Sequence, residues 1–251
     1  AVDNVDGGGP RRHYDALMEC LRRRRQAAQT MSEGSGGPRI LMRGEDHLFA
    51  WKPSGLATTG RTLEDPDCLQ SHLMIALKRR KVWAVHQLDK GTSGICLFAL
   101  RKPAVPLWAE RLRHGQKLYL GICSGTLKGR HSVHAPIGRI RRPDGRTQAA
   151  ITKDGKAAHS TITALQSVND QTLFTAQIHT GRTHQIRLHM SHLGHPLLGE
   201  KLHRNPACDA WPFPILHSWC LELEDADGAP LRVEAPLPEA LSQEVQRLGF
   251  E

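Results

Sequence analysis

From Arg39 onward, apolar and polar positions trade places in short bursts, and each burst predicts one element. Ile40-Leu41-Met42 and His47-Leu48-Phe49-Ala50-Trp51 predict two short strands, with Lys52-Pro53-Ser54-Gly55 as a turn after the second. The unbroken apolar run from Ile95 to Leu100, bounded by Gly94 and Pro103, predicts a strand buried on both faces. Strands also fit Lys117 to Gly125, Ser160 to Gln166, Leu173 to His179, Leu216 to Glu224 and Pro230 to Val233. Three segments keep the helical period instead. Cys68 to Arg80 sets Leu69, Leu73, Ala76 and Leu77 on one stripe. Pro103 to Gly115 sets Val105, Trp108 and Leu112 on one face, with proline near its start and glycine near its end. Thr183 to Leu193 turns Ile186, Met190 and Leu193 inward, with Thr183 as N-cap and Gly194 then Pro196 as the stop. Strands broken by a few helices, without regular alternation, argue against a parallel α/β fold. No internal repeat and no glycine-rich phosphate loop is present.

Residues 1–38 depart from this pattern. They hold Gly7-Gly8-Gly9-Pro10, Arg22 to Arg25, and a Ser/Gly run ending at Pro38. So little apolar surface cannot offset the entropy of ordering, which predicts a poorly ordered extension before a domain spanning 39–251. Tyr14 to Gln29 alone has helical character. Position 1 is alanine, and Met31 is the expected start. A signal-peptide core is missing from the N-terminus, and the longest apolar run, about six residues, falls far short of a bilayer span. The expectation is a cytoplasmic protein with no membrane partner. Hydrophobic content of 39% and charged content of 24% exclude a chain disordered throughout. The six cysteines lie far apart with no C-x-x-C pair, so they read as free thiols in a reducing compartment. A net charge of +9 points to a polyanionic partner, since Lys and Arg gain affinity by releasing counterions from phosphates.

Two segments set polar, functional side chains into otherwise buried patterns. Val85-His86-Gln87-Leu88-Asp89-Lys90-Gly91-Thr92-Ser93-Gly94 places a carboxylate in a polar turn just before a buried strand, the rigid support a reacting group needs. Thr180-Gly181-Arg182-Thr183-His184-Gln185-Ile186-Arg187 opens the last of the three helices. A buried arginine there requires a carboxylate, and Asp89 is the expected partner.

These segments resemble the RluA-type pseudouridine synthases, whose signature is H-R-L-D-x-x-T-S-G, then a K-x-Y strand, then G-R-[TS]-H-Q-[IL]-R. The matches are His86 to Gly94, Lys117-Leu118-Tyr119 and Gly181 to Arg187. Lys52 to Gly55, Gly155 to Ala158, Leu193 to Glu200, Leu216-His217 and Ala235 to Pro238 give weaker matches in the right order. The resemblance covers about residues 40 to 240. It implies an α+β fold: a single catalytic domain with a mixed, mainly antiparallel sheet, and helices and loops around a central cleft. It implies isomerisation of uridine to its C-glycoside within structured RNA, ribosomal or transfer, without any cofactor or metal. Asp89 would attack the sugar carbon or assist an elimination. Arg187 would pair with it and favour its ionised form, and Tyr119 would pack on the target base. His86, Gln87, Thr92, Arg182, His184 and Gln185 are the candidate substrate contacts. Gln87 stands where the family has the arginine that fills the gap left by the flipped base, and it lacks that residue's charge and stacking plane. Glu200 replaces the usual aspartate. Lys78-Arg79-Arg80-Lys81 and the run Arg139, Arg141 and Arg142 are the candidate backbone contacts. A monomer without the small N-terminal RNA-binding domain of some relatives is expected.

Three other readings are weighed against this one. A metal-dependent hydrolase would draw on His184, His189, His192, His195 and His203, but no H-E-x-x-H occurs. A non-catalytic RNA-binding paralogue would not need Asp89, Tyr119 and Arg187 together. A glycoside hydrolase needs a second carboxylate, and no acidic partner is expected beside Asp89.

Overall fold

The computed structural model describes residues 37–62, 65–203 and 211–250. Its strands are β1 (Arg39–Arg43), β2 (His47–Lys52), β3 (Trp83–Ala84), β4 (Ser93–Ala99), β5 (Gln116–Ser124), β6 (Arg130–His134), β7 (Ile137–Arg141), β8 (Thr147–Ile151), β9 (His159–Val168), β10 (Gln171–Ile178), β11 (Leu216–Glu224) and β12 (Pro230–Glu234). The helices are α1 (Leu69–Ala76), α2 (Ala104–His114), α3 (Gln185–His192) and α4 (Glu239–Leu248).

Alternation along β2 and β4 decides how these elements layer. Leu48 and Ala50 face one core while Phe49 and Trp51 face another, and β4 repeats this with Cys96 and Phe98 against Ile95 and Leu97. Every residue of both strands is buried, so the sheet must be covered on both sides. On the first side α1 brings Leu69 and Leu73, and α3 brings Ile186 and Met190. On the second, α2 lays Trp108 and Leu112 against Phe49, Leu97 and Leu221. Each such large apolar side chain contributes about 1.5–3 kcal/mol when fully buried.

The large sheet runs β1-β2-β4-β11-β5-β10-β9-β6, with β12 also on β11 and β3 also on β4. Only the β4–β11 pair is parallel, so the sheet is mixed and mainly antiparallel, as expected. That junction depends on Gly94. Its φ is +118°, and a Cβ there would sit 2.2 Å from the Ser218 carbonyl oxygen. Only glycine lets the two strands meet. The junction draws the segment before β4 toward β5, the next strand beyond β11.

The β7–β8 hairpin is a separate two-stranded sheet and, like β6 and α4, was not predicted from the pattern. β6 pairs only with β9 at the sheet edge and buries one residue, so it carries no apolar alternation. The helices are shorter than predicted. α1 stops at Ala76, because Lys78 and Arg79 adopt left-handed φ values of 54° and 63°. The expected N-cap Thr183 is replaced by His184, itself left-handed at φ 55°. Residues 1–36, with the predicted extension and its Tyr14–Gln29 helix, lie outside the described residues. Cys68, Cys96, Cys123 and Cys220 are buried free thiols. Among the described residues, no helix is long and apolar enough to cross a membrane.

Candidate active site

Asp89 sits in the loop between β3 and β4, and its neighbours are clamped from several directions. The Thr92 N–H donates to the Asp89 carbonyl at 3.0 Å, and the Gly55 N–H to that of Lys90 at 2.8 Å. The Leu88 N–H donates to Thr58 Oγ1 at 3.0 Å, and that hydroxyl lies 3.1 Å from the Leu88 carbonyl. Lys52 is fully buried, and its Nζ donates to the carbonyls of Leu56, Pro53 and Lys90 at 2.6, 2.9 and 3.2 Å. Burial pushes the Lys52 pKa down to about 8, against the opposing pull of Cys96 and Asp89. The turn predicted at Lys52 to Gly55 is therefore a brace for the Asp89 loop, a role its spacing alone did not reveal.

Upstream in the loop, His86 accepts the Leu97 N–H at Nε2 (3.1 Å), and burial pushes its pKa down to about 4. The ring is thus neutral and structural on that edge. Gln87 is exposed and donates to Thr59 Oγ1 at 3.1 Å. Thr92 is buried beside the strand start.

The opposite wall is the entry to α3. Gln185 is buried, and its Oε1 accepts from Thr180 Oγ1 and the Arg182 N–H at 2.7 and 3.0 Å. Its amide nitrogen donates to the His159 carbonyl and Ser160 Oγ, both at 2.9 Å. All of its bonding capacity on those atoms goes to protein, folding the Thr180–Arg182 turn back on itself. The chain then enters the helix through the left-handed His184, a conformation that histidine tolerates better than most side chains. Such strained entries collect at functional sites. Arg182 is half-buried, and its Nε donates to the Ala157 carbonyl at 3.0 Å.

Arg187 emerges one turn later, 7% exposed. Its expected partner was Asp89, yet its closest carboxylate is Glu200. The Nε and Nη2 groups donate to Glu200 Oε2 and Oε1 at 2.7 and 2.8 Å, a bidentate fork. Its Nη1 lies 3.7 Å from Asp89 Oδ2. One guanidinium therefore bridges two carboxylates. This corrects the expectation that Asp89 has no acidic neighbour. Burial raises the Glu200 pKa, but Arg187 and the Leu202 and His203 N–H groups bring it down to about 2. An acid so firmly ionised cannot protonate a leaving group, so the second-carboxylate requirement of a glycosidase is still unmet. Gly199, at φ +78°, makes the turn that delivers Glu200, and a Cβ there would lie 2.2 Å from the Phe213 carbonyl oxygen.

Tyr119 lies on β5 beside Ala176 of β10 and Ser218 of β11. Burial pushes its pKa well above the ordinary phenol value, so the hydroxyl keeps its proton at neutral pH. Asp89, Tyr119, Arg187, His86, Gln87, Thr92, Arg182, His184 and Gln185 all line one cleft of about 890 Å³. That volume stands near the top of the range for small-molecule sites, roughly 300–1,000 Å³. Lys90, Arg113 and Lys117 also line it and were not among the predicted contacts. Lys78, Arg79, Arg80 and Lys81 after α1, and Arg139, Arg141 and Arg142 on and beyond β7, are exposed outside that lining.

Of the clustered histidines, His184 and His203 lie against each other at 2.8 Å, while His189 and His195 go separate ways. His189 lies 3.0 Å from Ser160 Oγ and 3.1 Å from the Ala135 carbonyl, and His195 Nδ1 lies 3.0 Å from the Ser124 carbonyl. Among the described residues, no three His, Cys, Asp or Glu side chains converge as metal ligands would.

The RNA pseudouridylate synthase family model matches residues 46–192. A ribosomal large subunit pseudouridine synthase D of Nitrosomonas europaea is 35% identical over 223 residues, covering 81% of this chain and 63% of the relative. Its namesake in Xanthomonas campestris is 32% identical, covering 78% and 61%. Human RNA Pseudouridylate Synthase Domain Containing 1 superposes with a TM-score of 0.68 at 25% identity, over 88% of this chain and 98% of that one. The chain spans between 52% and 63% of the length of the first curated relatives it matches.

Proposed function

The chain belongs to the RNA pseudouridylate synthase family, and from that premise we propose that it isomerises uridine to pseudouridine within structured RNA. One observation carries the reading: Asp89, held 3.7 Å from Arg187, opens with Tyr119 onto a single cleft large enough for an extruded nucleotide. The reaction breaks the bond from the base nitrogen to the ribose carbon, turns the base, and joins its C5 to the same carbon. The C5 proton is lost to solvent, and the freed base nitrogen takes up a proton from solvent, so product and substrate are isomers. Asp89 is the carboxylate that meets the sugar, either as nucleophile or as base. Arg187 holds its Oδ2 edge, and Tyr119 supplies an apolar wall with a protonated hydroxyl. Nothing in this sequence of steps calls on an external cofactor.

A base in a helix cannot reach this cleft without leaving its stack. Gln87, exposed at the rim, is positioned to hydrogen-bond to the partner left behind. Lys78 to Lys81 and Arg139, Arg141 and Arg142 neutralise phosphates around the cleft. Ribosomal RNA is the favoured substrate class, because relatives in Nitrosomonas and Xanthomonas carry that assignment in their names. A monomer acting in the cytoplasm fits this reading.

Release of tritium from 5-tritiated uridine in RNA tests the activity directly. The expected result is stoichiometric release from one site of ribosomal RNA. Binding without release would support the non-catalytic reading, and release from transfer RNA alone would reassign the substrate.

A further inference from the structure

Beside Asp89 lies a pair of imidazoles that the steps above leave unused. His184 Nε2 is 4.0 Å from Asp89 Oδ1, and its Nδ1 is 2.8 Å from His203 Nε2. His203 Nδ1 in turn lies 3.3 Å from Gln148 Nε2 on β8. Two neutral rings in hydrogen-bond contact share one proton between them. Which ring owns it decides what His184 shows to Asp89.

Gln148 removes the ambiguity. Its amide nitrogen also lies 3.1 Å from the Leu202 carbonyl, which can only accept, so the NH2 end must point this way. An NH2 group only donates, hence His203 Nδ1 is an acceptor. A neutral His203 then carries its proton on Nε2 and donates to His184 Nδ1. A neutral His184 must carry its own proton on Nε2, the nitrogen turned toward Asp89.

The charged groups around the pair are Asp89, Arg187 and Glu200. Burial lowers the His184 pKa, helped by Arg187 and opposed by Asp89 and Glu200. Burial likewise pushes His203 down to about 4, so both rings are neutral at pH 7.

We propose that Gln148, His203 and His184 form a tautomer relay that keeps an N–H turned toward Asp89 Oδ1, fixing the carboxylate's orientation while Arg187 holds Oδ2. These are positioning residues, and the inference rests on Asp89 being the reacting acid. At 4.0 Å the last link is electrostatic in the free protein; closure by about 1 Å, or a bridging water, completes it. The opposite tautomer would aim a lone pair at the carboxylate and turn it away.

Long-range 1H–15N spectra of the full chain labelled with 15N-histidine read the protonated nitrogen of each ring. The wild type is expected to show the Nε2–H form for both His184 and His203 at pH 7. Gln148→Leu removes the donor and is expected to populate the Nδ1–H form of both rings. It is expected to lower kcat about tenfold, with KM for RNA within about twofold. A wild-type His184 protonated on Nδ1 alone, or on both nitrogens, overturns the relay. So does a folded Gln148→Leu protein with unchanged tautomers or unchanged kcat. The wild-type spectra need no variant and no turnover, so the relay can fail without the proposed activity failing, and the reverse.

Discussion

Glu200 and Asp89 lean on the same guanidinium and are held in opposite ways. Glu200 has no exposed side-chain surface; it takes a two-point fork from Arg187 and two backbone N–H groups at 2.8 and 3.1 Å. Asp89 is 26% exposed, with Arg187 at 3.7 Å and His184 at 4.0 Å. The first carboxylate is saturated by the protein, so it anchors the arginine. The second keeps lone pairs free in a cleft, on a loop braced by Lys52. Rigid backbone with incomplete side-chain pairing is what a group that must meet a substrate requires.

The largest effect expected from breaking this contrast is on the saturated side. Glu200→Gln strips the buried Arg187 of its close partner and should cost about 3–5 kcal/mol. A thermal melt should show a loss of roughly ten degrees. A loss below about 1 kcal/mol would mean that Asp89 can replace Glu200, and the two would no longer be distinct.

Acid should act next, through one buried ring on each side. His86 and His203 titrate near 4 in the folded protein, below their ordinary 6.5. Between those values the unfolded chain binds more protons, so stability falls as pH drops from 6.5 to 4. Glu200 adds a loss of the same sign between 4.5 and about 2. Melting temperatures from pH 7 to 4 should fall, and His203→Asn should flatten that slope.

Effects on the exposed side should spare stability. Replacing Arg139, Arg141 and Arg142 by serine should lower the log–log salt slope of RNA binding by about 0.7–0.9 per lost phosphate contact, with kcat unchanged. An unchanged slope would remove the hairpin from the RNA path. The smallest effect is expected for Gln87→Arg, with kcat within about twofold and a changed preference among RNAs in competition assays.

Legibility in the sequence follows burial. β2 and β4 can be read because each of their apolar residues from Leu48 to Trp51 and from Ile95 to Ala99 lies in one of two cores. The β7–β8 hairpin cannot, since Arg139, Ile140 and Arg141 face solvent and carry no periodic signal. α4 does leave a stripe, Leu241, Val245 and Leu248, although the pattern reading did not pick it out. At the site, pairing chemistry demands a carboxylate for Arg187 without saying which one. Glu200 lies 13 residues on, beyond any helical spacing, and only the turn at Gly199 brings it back. His203 reaches His184 by the same turn, so their contact has no sequence signature either.

The most direct test measures Asp89→Asn for tritium release and for its unfolding temperature in one preparation. A protein that melts with the wild type, binds RNA as tightly and releases no tritium is the predicted result. Measurable release from that variant would contradict the assignment of Asp89 as the reacting acid.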